Sequence, residues 1–103
     1  MLENLVFIEL KRRGIDCWFY KTKNNLEVDF LWFSPDPELI QVFYDLSDQL
    51  TLRREIRALK TAMGELSVSR SLILSYNDRR EIVDSMGVIR IVPVVEWLTE
   101  SFS

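Results

Sequence analysis

Leu26-Glu27-Val28-Asp29-Phe30-Leu31-Trp32-Phe33, followed by Ser34-Pro35-Asp36-Pro37 and Glu38-Leu39-Ile40-Gln41-Val42-Phe43-Tyr44, decides how this 103-residue chain folds. Leu26, Val28, Phe30 and Trp32 alternate with Glu27, Asp29 and Leu31, the period-two pattern of a strand. Two prolines so close together cannot sit within a central strand, so residues 34–37 read as a turn and Glu38–Tyr44 as the next strand. A strand presents residues i and i+2 on one face. Asp29 is therefore expected beside Gln41 and Phe43.

Working outward, Cys17–Thr22 and Leu26–Phe33 flank Lys23-Asn24-Asn25, a hairpin in which Asn24 and Asn25 tolerate the positive φ of a tight connection. Leu2–Arg13 reads as a helix, with Glu3 in its first turn and Lys11, Arg12 and Arg13 in its last, both favourable to the helix dipole. Gly14 is its expected left-handed stop. Its apolar residues spread around more of the circumference than one core-facing stripe needs, so something beyond the sheet is expected to cover them.

Downstream, Ser47 or Asp48 is the expected N-cap of a second helix, in which Leu52, Ile56, Leu59, Met63 and Leu66 recur at helical spacing. Arg53, Arg54, Arg57 and Lys60 make its other face basic, offset in part by Glu55. After Gly64, Arg70–Ser75 reads as a buried strand, Glu81–Asp84 and Val88–Val92 as a hairpin about Ser85-Met86-Gly87, and Pro93 as the first turn of a closing helix, Val94–Leu98. The order is αβββαβ(ββ)α. Helices on a mixed sheet define an α/β fold of one domain, residues 1–103.

Hydrophobic residues make up 48% of the chain and charged residues 28%, as in a globular domain. No apolar run reaches the roughly 18 residues of a membrane span, and Met1-Leu2-Glu3-Asn4 opens no signal peptide, so a cytoplasmic location is expected. There is no histidine and one cysteine. That excludes a disulfide within the chain, Cys-and-His structural zinc sites and Ser-His or Cys-His catalysis. Cys17 and its aromatic neighbours Trp18, Phe19 and Tyr20 are expected in core and hairpin packing. Gly14, Gly64 and Gly87 fit no phosphate-cradling loop, so no ATP site is expected here. The net charge of −3 hides an acidic block, residues 26–50, that contains no Lys or Arg.

The element order, with Glu3 in the first helix, Glu27-Val28-Asp29-Phe30 in the second strand and Ile40-Gln41-Val42-Phe43 in the third, resembles the PD-(D/E)xK restriction-endonuclease-like core. With Leu2–Gly14, Tyr20-Lys21-Thr22-Lys23 and Ile91–Leu98 added, it looks more closely like the domain of unknown function C-terminal to the P-loop module of many bacterial and archaeal AAA-type ATPases. That resemblance implies a three-layer α/β/α sandwich. It also implies an ATPase portion upstream, where ATP would bind. The alternatives are a degenerate stand-alone protein and an excised C-terminal domain. The partner expected for residues 2–10 is that ATPase portion or a second copy of the chain.

Hydrolysis of a phosphodiester at such a site requires carboxylates for Mg²⁺ and a Lys that stabilises developing charge. Glu3 and Asp29 are the candidate metal ligands. Gln41 supplies only a neutral oxygen in the next carboxylate position, and Phe43 replaces the Lys. Glu3, Asp29 and Gln41 thus read as a vestigial catalytic set with weak Mg²⁺ affinity at most. The leading expectation is a non-catalytic, nuclease-like interaction domain. The alternative is a weak Mg²⁺-dependent nuclease or DNA-binding domain, with Lys21, Arg53 or Arg54 as a migrated cation and Arg53, Arg54, Arg57 and Lys60 as the nucleic-acid contact.

Overall fold

A computed structural model describes residues 2–33, 36–43 and 48–100, apart from the side chains of Leu2, Glu3, Phe33 and Glu100. The elements are α1 (Leu2–Arg12), β1 (Cys17–Lys21), β2 (Glu27–Phe33), β3 (Pro37–Val42), α2 (Gln49–Leu66), β4 (Arg70–Ser75), β5 (Arg80–Asp84), β6 (Gly87–Pro93) and α3 (Val94–Glu100). They form one six-stranded mixed sheet in the order β1-β2-β3-β4-β6-β5. β3 and β4 pair parallel, as do β4 and β6, and the remaining neighbours pair antiparallel.

Each face of the sheet carries its own apolar cluster. Leu52, Leu59, Ala62 and Met63 of α2 pack on Val28, Leu31, Leu39, Ile73, Ile89 and Ile91. Val6 and Leu10 of α1 and Val94 of α3 pack on the opposite face, against Phe30, Trp32, Ile40, Leu72 and Val92. The molecule is therefore layered helix, sheet, helix. On the α3 side, Trp97 stacks on Trp32 with ring centroids 6.4 Å apart, and the Arg13 guanidinium lies 4.4 Å from the Trp97 ring. Arg13 also pairs with Glu9, whose carboxyl is held below the usual range by its hydrogen bonds with Arg12 and Arg13.

α1 ends as its sequence predicts. Gly14 takes φ +72°, Ile15 N–H donates to Leu10 O and Gly14 N–H to Lys11 O, the paired bonds of a Schellman cap. The N-cap of α2 is Asp48, whose side chain accepts from Thr51 N–H; Ser47 lies outside the described residues. The hairpin connection bends at Asn25, φ +66°. α2 runs through Gly64 to Leu66, the last apolar residue of its helical spacing, and stops at Ser67 in the left-handed region.

Three expectations give way. Pro37 is the first residue of the central strand β3, a position where its missing N–H is tolerated, and the end of the expected strand at Tyr44 lies outside the described residues. Pro93 closes β6 opposite Ser75 instead of opening α3. Trp18 and Phe19 are more than half exposed on β1, an edge strand of the sheet. Cys17 is partly buried against the α1 cluster, and burial raises its thiol pKa.

The simple alternation along β2 also fails. Cys17 pairs with Trp32 and Trp18 with Leu31, but Tyr20 pairs with Val28, so β2 carries one extra residue across from Phe19. This bulge at Asp29–Phe30 reverses the parity of the strand. Val28 and Leu31 consequently share the α2 face, whereas Phe30 and Trp32 share the α1 face.

Gly87, with φ +138°, lies so close to Ser69 that a Cβ would sit 2.2 Å from the Ser69 carbonyl oxygen, whereas one at Gly14 would meet nothing within 4 Å. Gly87→Ala is expected to lower unfolding free energy by at least about 2–3 kcal/mol and Gly14→Ala by only about 1 kcal/mol, measured by urea denaturation. Equal losses would contradict this packing.

Candidate functional site

The antiparallel ladder of β2 and β3 runs from Phe33↔Pro37 to Phe30↔Ile40, and at the bulge the side chains take over its hydrogen bonds. Asp29 N–H donates to Gln41 Oε1 at 2.8 Å, Gln41 Nε2 donates to Glu27 O at 3.0 Å, and Val42 N–H donates to Asp29 Oδ2 at 2.8 Å. The second Nε2 hydrogen of Gln41 goes to Glu55 Oε2 on α2. One carboxamide thus ties two strands and a helix together. Its orientation is fixed by chemistry, because a flipped amide would aim donors at the Asp29 N–H and its oxygen at two acceptors.

Gln41 is 3% exposed, so these bonds are made with little water to replace them. A glutamate here would set a carboxylate against the Glu27 carbonyl and the Glu55 carboxylate. The amide satisfies one donor and two acceptors at once. This is a physical reason for glutamine that does not depend on metal chemistry. Glu55 was not singled out as a site residue by the sequence. The available signal is its spacing, three residues after Leu52 and four before Leu59, which places it on the flank of the buried stripe of α2.

Phe43 extends the β3–β4 pairing through its N–H to Leu74 O, and its ring packs against the α2 cluster. The position where a cation would serve hydrolysis therefore holds a partly buried ring packed against the core. The Glu3 side chain lies outside the described residues. Among the described residues, no group of three carboxylate or cysteine side chains could hold a metal ion. Lys21 stands on the sheet edge opposite Glu27 in the β1–β2 register, exposed to solvent.

The basic face of α2 is smaller than its sequence suggests. Arg53, Arg54 and Arg57 are exposed, and Arg54 donates to Thr51 Oγ1 at 3.4 Å. Lys60 instead pairs with Asp84 at 2.6 Å and holds that carboxyl below its ordinary pKa, which ties α2 to the end of β5. A second tie runs from the last turn of the helix to the opposite edge strand, where Tyr20 Oη donates to Glu65 Oε1 at 2.6 Å. That bond raises the phenol pKa and lowers that of the carboxyl.

An uncharacterised protein of Methanocaldococcus jannaschii is 41% identical to the chain over 106 aligned residues, covering 94% of this chain and 24% of the relative. The chain thus spans about a quarter of the length of the curated relative it matches. No known family matches the chain, and no solved structure matches it.

The joint makes Gln41→Glu a directional test. Loss of both donors beside Glu55 is expected to cost about 2–4 kcal/mol at neutral pH. Burial beside a like charge raises the pKa of the new carboxyl in the folded state above the unfolded value of about 4.3, so the native state binds the extra proton. Stability relative to the parent chain then falls as pH rises above that unfolded value and is partly recovered below it. Urea midpoints of both proteins from acid to neutral pH measure the effect; a pH-independent difference would contradict it.

Proposed function

We propose that this chain is a nuclease-like interaction domain, restriction-endonuclease-like in ancestry, that serves as an accessory to a P-loop ATPase and does not cleave phosphodiesters. The observation that carries this reading is the commitment of Gln41 to the β2–β3–α2 joint, with an Asp29 oxygen bonded to Val42 N–H and Phe43 packed against the core. Mg²⁺ requires anionic oxygens that can turn towards it, and metal-assisted hydrolysis also requires a group that stabilises charge on the phosphate. Here the second carboxylate is an amide with its hydrogen bonds already made.

The partner reading is supported by two further observations. Leu5 and Ile8 on the outer side of α1 are 45% and 55% exposed, and Phe7 on its flank, stacked on Phe30, is 40% exposed, an apolar surface suited to a neighbouring domain. The relative, about four times as long as the matched segment, supports a place for such a domain within a longer polypeptide. ATP would bind in the partner portion. In a second reading, DNA binding without cleavage, the exposed Arg53, Arg54 and Arg57 supply the contact.

Calorimetric titration with Mg²⁺ and Mn²⁺ is expected to give no micromolar binding, and plasmid DNA is expected to stay intact. Micromolar binding abolished by Asp29→Ala together with plasmid cleavage would overturn the non-catalytic reading in favour of a nuclease with a migrated cation. If α2 contacts DNA, gel retardation is expected to weaken steeply with added salt and to disappear in the Arg53→Glu, Arg57→Glu double variant. Retardation that ignores salt would remove that second reading.

A further inference from the structure

On the α1–α3 face, the sheet extends beyond the helices and carries a charged cluster distant in sequence from the Gln41 joint. Glu38 lies two residues before Ile40, Arg70 two before Leu72, and Arg90 pairs in register with Leu72, so all three side chains share that face. They frame a cavity of about 140 Å³ closed by Ser71 and Val88. Strand spacing and a two-residue rise set the Cα atoms of Arg70 and Arg90 about 8 Å apart. Both are exposed, and neither has an acidic group within ion-pair distance among the described residues. Glu81 stands opposite Arg90 in the β5–β6 register without forming such a pair.

We propose that the pocket framed by Glu38, Arg70 and Arg90 binds a tetrahedral oxyanion of the phosphate type. Two guanidiniums present planar forks of donors that converge on one pocket, the geometry that recognises such oxygens in pairs. The volume suits a single oxyanion with a few ordered waters and is below the roughly 300 Å³ of pockets that enclose drug-sized ligands. Burial raises the carboxyl pKa of Glu38 and outweighs the opposing charges of Arg70 and Arg90 and a hydrogen bond with Trp32. Once protonated, it becomes a donor to the anion, so binding and proton uptake reinforce each other. Arg90 also borders a second cavity of about 400 Å³, lined by Glu81 and by Arg79 and Arg80, which pair with Glu96 and Asp78, and this cavity gives a longer phosphodiester room to extend.

Sulfate keeps one charge over the relevant range, so it isolates the titration of the protein. In ¹H–¹⁵N NMR at constant ionic strength, sulfate is expected to shift the Arg70 and Arg90 Nε–H signals saturably. Arg70→Gln or Arg90→Gln is expected to weaken binding at least about tenfold. Binding by the parent chain should tighten as pH falls, and Glu38→Gln should remove that dependence. Arg70→Lys and Arg90→Lys, which keep the charge but lose the fork, are expected to bind with intermediate affinity and serve should either Gln variant fail to fold. Inorganic phosphate and a short single-stranded oligonucleotide then separate the sources of the ligand. Tighter binding of the oligonucleotide, weakened by Arg80→Gln, identifies a phosphodiester; equal or tighter binding of phosphate identifies a free phosphate. Non-saturable shifts, shifts spread equally to Arg53 and Arg57, or sulfate affinity indifferent to both arginine substitutions would overturn the site.

Discussion

The carboxamide of Gln41 is the junction on which the centre of this fold depends. Where the bulge at Asp29 interrupts the ladder between β2 and β3, backbone groups would be left unpaired under α2, a cost of about 1–3 kcal/mol each in a buried setting. Gln41 and Asp29 supply the missing partners from their side chains, and Gln41 continues the connection to Glu55 of the helix above. Neutrality matters as much as reach. An amide offers both a donor and an acceptor, so it can join a backbone N–H, a carbonyl and a carboxylate in one place.

In the nuclease-like reading proposed above, the positions that would serve phosphodiester hydrolysis are occupied by structural groups: an amide at the strand junction and an aromatic ring packed against the core. The helix above is fixed by more than apolar packing, because Lys60 reaches Asp84 and Glu65 reaches Tyr20 from its two sides. With Lys60 committed in this way, the exposed charge on α2 narrows to Arg53, Arg54 and Arg57. A second pair of cations, Arg70 and Arg90, lines a pocket on the other face of the sheet.

Much of the architecture is legible in the residues because local signals and burial agree. Gly14 stops α1, Asn25 turns the hairpin and Asp48 caps α2, each through backbone or hydrogen-bond chemistry local to the position. The bulge in β2 is not legible, since strict alternation of Val28, Phe30 and Trp32 predicts one face and only the pairing with Phe19 shows the extra residue. Glu55 is hidden for a similar reason. A glutamate among arginines on a helix reads as a solvent-facing charge until the strand beneath is seen to hold a buried amide donor. Trp18 and Phe19 mislead in the opposite sense, because aromatic residues suggest core while the edge position of β1 leaves them in solvent.

The most direct test of the structural role of Gln41 is hydrogen exchange at its side-chain amide, followed by NMR with and without Mg²⁺. A carboxamide bonded to Asp29, Glu27 and Glu55 and shielded from water should exchange its Nε2 protons far more slowly than the exposed amide of Asn77, with no change when Mg²⁺ is added. Exchange as fast as that of Asn77, or a Mg²⁺-dependent shift of the Gln41 amide together with Asp29, would contradict the account and return these residues to metal chemistry.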